Sequence, residues 1–265
     1  MKNIFAVLLL ALSLTSFAQH PLIGTWKMVS IKGIGADGEK FTADTSTIRE
    51  TKVITSTHYV LIAEDVDNDS LIFNRCYFGT VHMDGDKYNE IPILSSNTIF
   101  TNVKTDFTWK VVGDKFIQSG TIIRPDGKKV VLEELVFQRV KTQQSYPKNA
   151  TNGTWKLLKS SYVATDGKTR TDTDETVTCY QLFTPTYWMY ISSRANKFER
   201  VMGGAYTMKD DKYVLSFDVA SFPTKLWGKT EVTQRLTGSK LHLTGISKFD
   251  DGSKFSWDDY LEKVK

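Results

Sequence analysis

The chain has 265 residues, of which 40% are hydrophobic and 24% charged, and its formal net charge is +4. This composition suits one large or two small folded domains, and the 12% of aromatic residues excludes wholesale disorder. The 34 basic and 30 acidic residues are interspersed, without the concentrated basic face of a nucleic-acid-binding protein. We therefore expect a folded protein with no nucleic-acid partner.

The first 18 residues have the pattern of a secretory signal peptide. Lys2 precedes an apolar run at 4–12, and the Ser-Phe-Ala sequence at 16–18 fits the small-x-small cleavage pattern. The run is too short to span a bilayer, and no later stretch approaches about 18 apolar residues. The sequence predicts a periplasmic or secreted protein that begins at Gln19 and has no membrane span.

The rest of the chain is an internal duplication. The motif Gly-Thr-Trp-Lys at 24–27 recurs at 153–156, and Arg75 and Arg200 occupy matched positions in the two copies. Each copy has about 115 residues, which is the size of a complete domain rather than of a solenoid repeat. We predict one domain at 19–141, a polar linker at 142–152 and a second domain at 153–265.

Within each copy the pattern is that of β-strands. Residues 107–111 alternate with a period of two, and so do residues 130–137. Asp-Gly, Gly-Asp, Asp-Asp and Gly-Ser turns separate such segments at roughly 8–12 residues. Many short antiparallel strands leave exposed edges unless the sheet closes on itself. The sequence therefore predicts an all-β fold of two tandem antiparallel up-and-down β-barrels, with about 8–10 strands each.

The Gly-x-Trp motif that opens each copy, with a basic residue near the end of the copy, resembles the calycin superfamily of lipocalins and fatty-acid-binding proteins. The resemblance implies that Trp26 closes one end of the first barrel beneath Arg139, and that Trp155 does the same beneath Lys263. A cation over an indole contributes about 0.5–2 kcal/mol and shields the barrel end from water.

The second copy is also similar to lipocalin-like domains of exported bacterial proteins. The shared features are its Thr-Pro-Thr-aromatic segment at 184–187 and its Gly-Gly-x-Tyr segment at 203–206. In the first copy, Ser56 stands where the second has its proline, and Phe78-Gly79 stands where the second has its glycine pair. Such a fold does not by itself define a function.

Two arginines are candidate ligand anchors. Strand alternation places Arg75 on one face with Tyr77, and Arg200 on one face with Tyr206. An arginine on an apolar face needs a partner, which is either an anionic ligand group or a nearby Asp or Glu, and both interpretations remain open. The other predicted ligand-binding side chains are those of His58, Trp109 and Tyr187. These aromatic groups either line a cavity or fill the barrel cores.

The sequence contains no motif for catalysis, for a metal or for a cofactor. The histidines lack zinc-ligand spacing, and no nucleophile elbow or phosphate-binding loop occurs, so we expect no metal and no cofactor. Cys76 and Cys179 do not occupy equivalent positions in the two copies. We therefore predict two free, mostly buried thiols.

These observations favour an exported, non-catalytic binding protein that holds a small apolar or amphipathic ligand, including an anionic one, in one or both barrels. A second hypothesis is an envelope interaction module with filled barrels and a protein partner, for which the polar stretch 169–176 would provide a long loop. A third is a barrel-pocket enzyme on a lipid-like substrate, with His58, Tyr59 and Arg75 converging in the first copy.

Overall fold

The structure is a computed structural model that describes residues 20–68, 70–141, 150–163, 167–172, 174–222, 229–249 and 252–265. The predicted signal peptide at 1–18 and the linker residues 142–149 lie outside these ranges. The described residues form β-strands and one short 3-10 helix, Thr98–Phe100, and they contain no α-helix. A helix with the length and hydropathy needed to cross a membrane is absent from these ranges.

The first copy forms one antiparallel sheet that closes because its first strand pairs with its last. The strands are β1 (Gly24–Ile34), β2 (Lys40–Asp44), β3 (Ile48–Ile54), β4 (His58–Asp67), β5 (Ser70–Asp84), β6 (Lys87–Ser95), β7 (Lys104–Val112), β8 (Lys115–Ile123) and β9 (Lys129–Arg139). β2 and β3 share the free edge of β1, so eight strand positions surround the interior.

The second copy repeats this closure through its first and last strands. The strands are β10 (Gly153–Val163), β11 (Thr169–Asp172), β12 (Val177–Phe183), β13 (Tyr187–Arg194), β14 (Lys197–Lys209), β15 (Lys212–Leu215), β16 (Val219–Ala220), β17 (Thr230–Thr237), β18 (Lys240–Lys248) and β19 (Lys254–Lys263). The prediction of two tandem antiparallel barrels is therefore confirmed. The interpretation of 169–176 as one long loop is wrong, because Thr169–Asp172 pairs with β10 as the second strand of a hairpin.

One end of the first barrel is closed by Trp26. Its indole is buried, its Nε1 donates to the Leu22 carbonyl at 2.8 Å, and the Arg139 guanidinium lies 4.0 Å from the ring centroid. Gly24 has a φ of +146°, and a Cβ there would lie 2.8 Å from Arg139 Nη1. The glycine of the Gly-x-Trp motif thus leaves room for the cation that covers the tryptophan.

The second barrel repeats this arrangement with a lysine. Trp155 is buried, and its Nε1 donates to the Thr151 carbonyl at 2.6 Å. Lys263 Nζ lies 5.3 Å from the indole centroid. Gly153 has a φ of +130°, and a Cβ there would lie 3.2 Å from Lys263 Cε. The two copies therefore close the same end of each barrel with the same kind of contact.

The two barrels pack side by side through the outer faces of β3–β5 and β12–β14. At this junction, Phe73 stacks on its repeat equivalent Phe198 with ring centroids 5.7 Å apart. The buried apolar side chains of the junction come from both copies: Val53, Val60, Ile62, Cys76, Phe78, Leu94, Leu182, Tyr187, Met189, Ile191, Val201 and Val219. The junction is thus a third hydrophobic core beside the two barrel interiors.

Two threonine pairs show that the junction has approximate two-fold symmetry. Thr25 Oγ1 lies 2.7 Å from Thr184 Oγ1, and Thr55 Oγ1 lies 2.8 Å from Thr154 Oγ1. The repeat maps Thr25 onto Thr154 and Thr55 onto Thr184, so each copy contributes the same two groups. This is the geometry of an isologous dimer interface formed within one chain.

Truncation of a junction side chain is predicted to destabilise the whole protein. Ile191 is fully buried between the barrels, so Ile191→Ala should lower the free energy of unfolding by about 2–4 kcal/mol, because it leaves a cavity. The matched control is Ile246→Ala, on an exposed position of the same barrel, which should change it by less than about 0.5 kcal/mol. Urea unfolding measures both, and two separate transitions would contradict a shared core.

Candidate functional site

The interior of the first barrel is filled. Lys52 points into it and is 1% exposed, with Nζ 2.6 Å from Glu90 Oε1 and 3.1 Å from Gln118 Oε1. Tyr88 also donates to Glu90 Oε1. Large aromatic side chains, among them those of Tyr59, Phe107, Phe116 and Phe137, surround this buried ion pair. The charges of the first interior are thus compensated within the protein.

Arg75 is paired within the first barrel as well. Its Nη2 lies 2.5 Å from Glu50 Oε1, and the Glu50 side chain is buried. The strand registers place Glu50 and Arg75 on either side of Ala63, so both side chains face inward. Of the two interpretations of Arg75, this is the one in which its guanidinium pairs with a carboxylate of the protein rather than with a ligand.

The second barrel encloses a cavity of about 850 Å³. Its lining combines apolar and aromatic side chains with polar groups at both ends: Leu157, Ser160, Tyr162, Arg170, Thr171, Val177, Cys179, Gln181, Trp188, Tyr190, Arg194, Glu199, Arg200, Met202, Leu215, Phe217, Thr230, Ser247, Phe249, Phe255, Trp257 and Asp259. Gly245 makes room for one of these rings, since a Cβ there would lie 2.0 Å from the Trp257 indole. This size and lining are typical of small-molecule sites.

The inner end of the cavity carries a chain of hydrogen bonds that ends on Asp259. Trp188 Nε1 donates to Gln181 Oε1 at 2.9 Å, and Gln181 Nε2 donates to Asp259 Oδ2 at 2.9 Å. Ser160 Oγ donates to Asp259 Oδ1 at 2.7 Å. Burial raises the pKa of Asp259 to about 6, although the hydrogen bonds from Ser160 and Gln181 oppose the shift.

The outer end of the cavity carries three arginines. Arg170, Arg194 and Arg200 line this end and are exposed. Arg194 pairs with Asp174 and, at 3.2 Å, with Glu199, whereas Arg200 Nη2 lies 3.5 Å from Glu199. Among the lining residues that the structure describes, Glu199 is the carboxylate at this end, and Asp174 lies beside it. The described part of the mouth thus brings three guanidinium groups together with these two carboxylates.

The two interiors differ at a few register-matched positions. Cys179 replaces Glu50, so Arg200 has no inward carboxylate from β12 of the kind that Arg75 receives from β3. Gln181 replaces Lys52, and Asp259 replaces Leu135. The same fold thus holds a filled, self-compensated core in one copy and an open, polar-ended cavity in the other.

The structure places the predicted ligand-binding residues in three regions. Only Arg200 lines the cavity, where it lies at the mouth. Tyr206 packs deeper in the second barrel, and its hydroxyl donates to the Thr184 carbonyl at 2.6 Å. Tyr77 and Trp109 pack against the core of the first barrel.

His58 and Tyr187 face away from both barrel interiors and lie at the junction. The His58 ring stacks on Phe78 with centroids 5.4 Å apart, and burial lowers its pKa to about 4. The Tyr187 hydroxyl donates to Asp218. These two side chains are therefore not brought together with Arg75 or Arg200, because the outer faces of their strands are covered by the other barrel.

Several residues of the cavity were not identified from the sequence. Asp259 and Gln181 at the inner end, and Arg170 and Arg194 at the mouth, are the main ones. Asp259 lies on the inward face of β19 between apolar neighbours at positions 257 and 261, and an acid inside an alternating apolar face is the signal that could have identified it.

Both cysteines are buried, and neither is part of a disulfide in the described structure. Cys76 lies in the junction, whereas Cys179 lines the cavity with its Sγ 3.1 Å from the Tyr190 hydroxyl oxygen. In the described part of the chain, no group of three or more His, Cys, Asp or Glu side chains has the arrangement of a metal site.

Comparison with known proteins finds no matching family model and no matching curated protein. Among solved structures, the chain is similar to a protein of unknown function of the DUF3598 family from Nostoc punctiforme, at 10% identity over 92% of this chain and 96% of that chain, with a TM-score of 0.27.

The chain is also similar to a mutant of the vaccine antigen Transferrin Binding Protein B from Haemophilus parasuis, at 7% identity over 91% of this chain and 76% of that chain, with a TM-score of 0.24. For intact Ap-TbpB, with its N and C lobes, the values are 6%, 91%, 77% and 0.23. At these TM-scores, nothing about function carries over to this chain.

The buried carboxyl of Asp259 should make stability depend on pH. Its pKa is raised from 3.8 to about 6 in the folded protein, so the free energy of unfolding should decrease as the pH rises from about 4 to about 6. We expect this decrease to be about 2–3 kcal/mol in wild-type protein and to be absent in Asp259→Asn. Urea unfolding at about pH 4 and about pH 8 measures the effect.

Glu64 titrates in the same range, since burial raises its pKa to about 7. The difference between wild type and Asp259→Asn isolates Asp259, because Glu64 is common to both proteins. An equal change in unfolding free energy between the two pH values in both proteins would show that Asp259 ionises normally.

Proposed function

We propose that the second barrel binds a small amphipathic ligand with an acidic head group, and that the first barrel is a structural unit without a ligand. The observation that carries this proposal is the contrast between the two interiors. The second encloses about 850 Å³ lined by apolar and aromatic side chains, whereas the first is filled around Lys52. No covalent chemistry is required of such a site.

The orientation of the ligand follows from where the cations lie. Arg170, Arg194 and Arg200 are exposed at the mouth, so an acidic head group can bond to guanidinium groups there without losing all its water. The apolar body of the ligand then packs against side chains such as those of Leu157, Met202 and Trp257. Burial of its apolar surface contributes about 25 cal/mol of binding free energy per Å².

Export is part of this proposal and rests on the sequence alone. The basic residue, apolar run and small-x-small pattern of residues 1–18 support transfer to the periplasm or secretion. The ligand would then be taken from the extracytoplasmic space.

Blocking the cavity should abolish binding. Met202→Trp places a larger ring in the lining, so the affinity for dodecanoic acid, measured by calorimetry, should fall at least about tenfold. The matched control is Tyr77→Trp, at the equivalent position of the first barrel, which should leave the affinity unchanged. If Tyr77→Trp abolished binding and Met202→Trp did not, the ligand would occupy the wrong barrel for this proposal.

Removal of a mouth cation should weaken binding of the acid. Arg200→Ala is expected to raise the Kd for dodecanoic acid about tenfold, because a charge-assisted hydrogen bond is lost. Arg235→Ala removes the same charge from an exposed position on β17 outside the cavity and serves as the control. Equal effects of the two variants would indicate a general effect of charge rather than a contact at the mouth.

A further inference from the structure

The inner end of the cavity holds a buried carboxyl group whose hydrogen-bond donors are neutral. Asp259 is 8% exposed, and its two oxygens accept from the Ser160 hydroxyl and from the Gln181 amide. Within the ranges that the structure describes, no Lys, Arg or His side chain forms an ion pair with Asp259. A buried carboxylate without a cation is unfavourable, which is consistent with its raised pKa of about 6.

The charged groups around Asp259 lie elsewhere. His242 and Asp258, on the same two strands, face outward and pair with each other at 2.5 Å between Nε2 and Oδ1. The arginines lie at the exposed end of the cavity, so they do not neutralise its buried end. The Tyr213 ring packs in the core beneath. The carboxyl therefore faces the cavity with capacity for a further donor.

The first barrel shows how the same fold compensates an interior carboxylate. There, Lys52 Nζ bonds to Glu90 Oε1 at 2.6 Å and lies 5.1 Å from the centroid of Phe137. The strand registers match Lys52 with Gln181, so the second barrel has a neutral amide where the first has a cation. The second barrel thus has an interior carboxyl group with open space beside it, and it has no cation at the position that Lys52 occupies in the first barrel.

We propose that the ligand of the second barrel carries a protonated amine at its inner end, which bonds to Asp259 as Lys52 bonds to Glu90 in the first barrel. The proposal rests on the proposed function, because it specifies the chemistry of the ligand in the same cavity. The ligand class is then an apolar body with an amine at one end and an acidic group at the other. The two ends match the carboxyl inside and the arginines at the mouth.

The test compares dodecanoic acid with ω-aminododecanoic acid, which has the same chain and acid group and adds only the inner amine. At pH 7.5, we expect wild-type protein to bind the amino acid about tenfold more tightly by calorimetry, because the amine adds a charge-assisted hydrogen bond to Asp259. Asp259→Asn should bring the ratio of the two Kd values to about one. Asp258→Asn, the outward-facing neighbour, should keep the wild-type ratio.

A second variant tests the comparison with the first barrel. Gln181→Lys places a cation where Lys52 stands in the first barrel, so it should also remove the preference for the amine. If wild-type protein binds dodecanoic acid but prefers it to the amino acid, the amine proposal is wrong and the proposed function stands. If neither compound binds, both fail. A preference that survives in Asp259→Asn and in Gln181→Lys would also overturn the proposal.

Discussion

Pairing of the first strand with the last is the constraint on which the rest of the structure depends. Once β1 bonds to β9 and β10 to β19, the strands of each closed path have one face inside the barrel, and strand alternation decides which side chains meet there. The closing end is sealed in both copies by an indole beneath a cation. The two copies therefore share a backbone plan, and a few substitutions suffice to give their interiors different packing and charge.

Duplication explains how one interior can contain a cavity while the other is a packed core. The junction between the barrels has the two-fold arrangement of a dimer interface, with Thr25 against Thr184 and Thr55 against Thr154. The first barrel supplies six of the twelve buried apolar side chains of the junction, so the second barrel is supported from outside on this face. A cavity with polar ends lowers the packing density inside its own barrel and so reduces the stability of that barrel. The core shared at the junction offsets part of this loss of stability.

The sequence predicted the fold well because closure and repetition leave strong local signals. The Gly-x-Trp motif, the turn residues and the period of two were sufficient for two barrels, and they placed Arg200 and Tyr206 on one face. The positions of His58 and Tyr187 could not be predicted, because both faces of their strands are buried and alternation does not then distinguish inside from outside. Whether Arg75 meets a ligand or Glu50 also depends on contacts across three strands, which residue types alone do not specify.

The central claim is that a ligand enters the second barrel and not the first, and the methyl groups of the methionines report on this directly. Met28 and Met83 lie in the first barrel, Met189 at the junction, and Met202 in the cavity lining. In an NMR titration of methyl-labelled protein with dodecanoic acid, the account predicts a saturable shift of the Met202 resonance while those of Met28 and Met83 stay in place. Shifts confined to Met28 and Met83, or no shift of Met202 at saturating ligand, would contradict it.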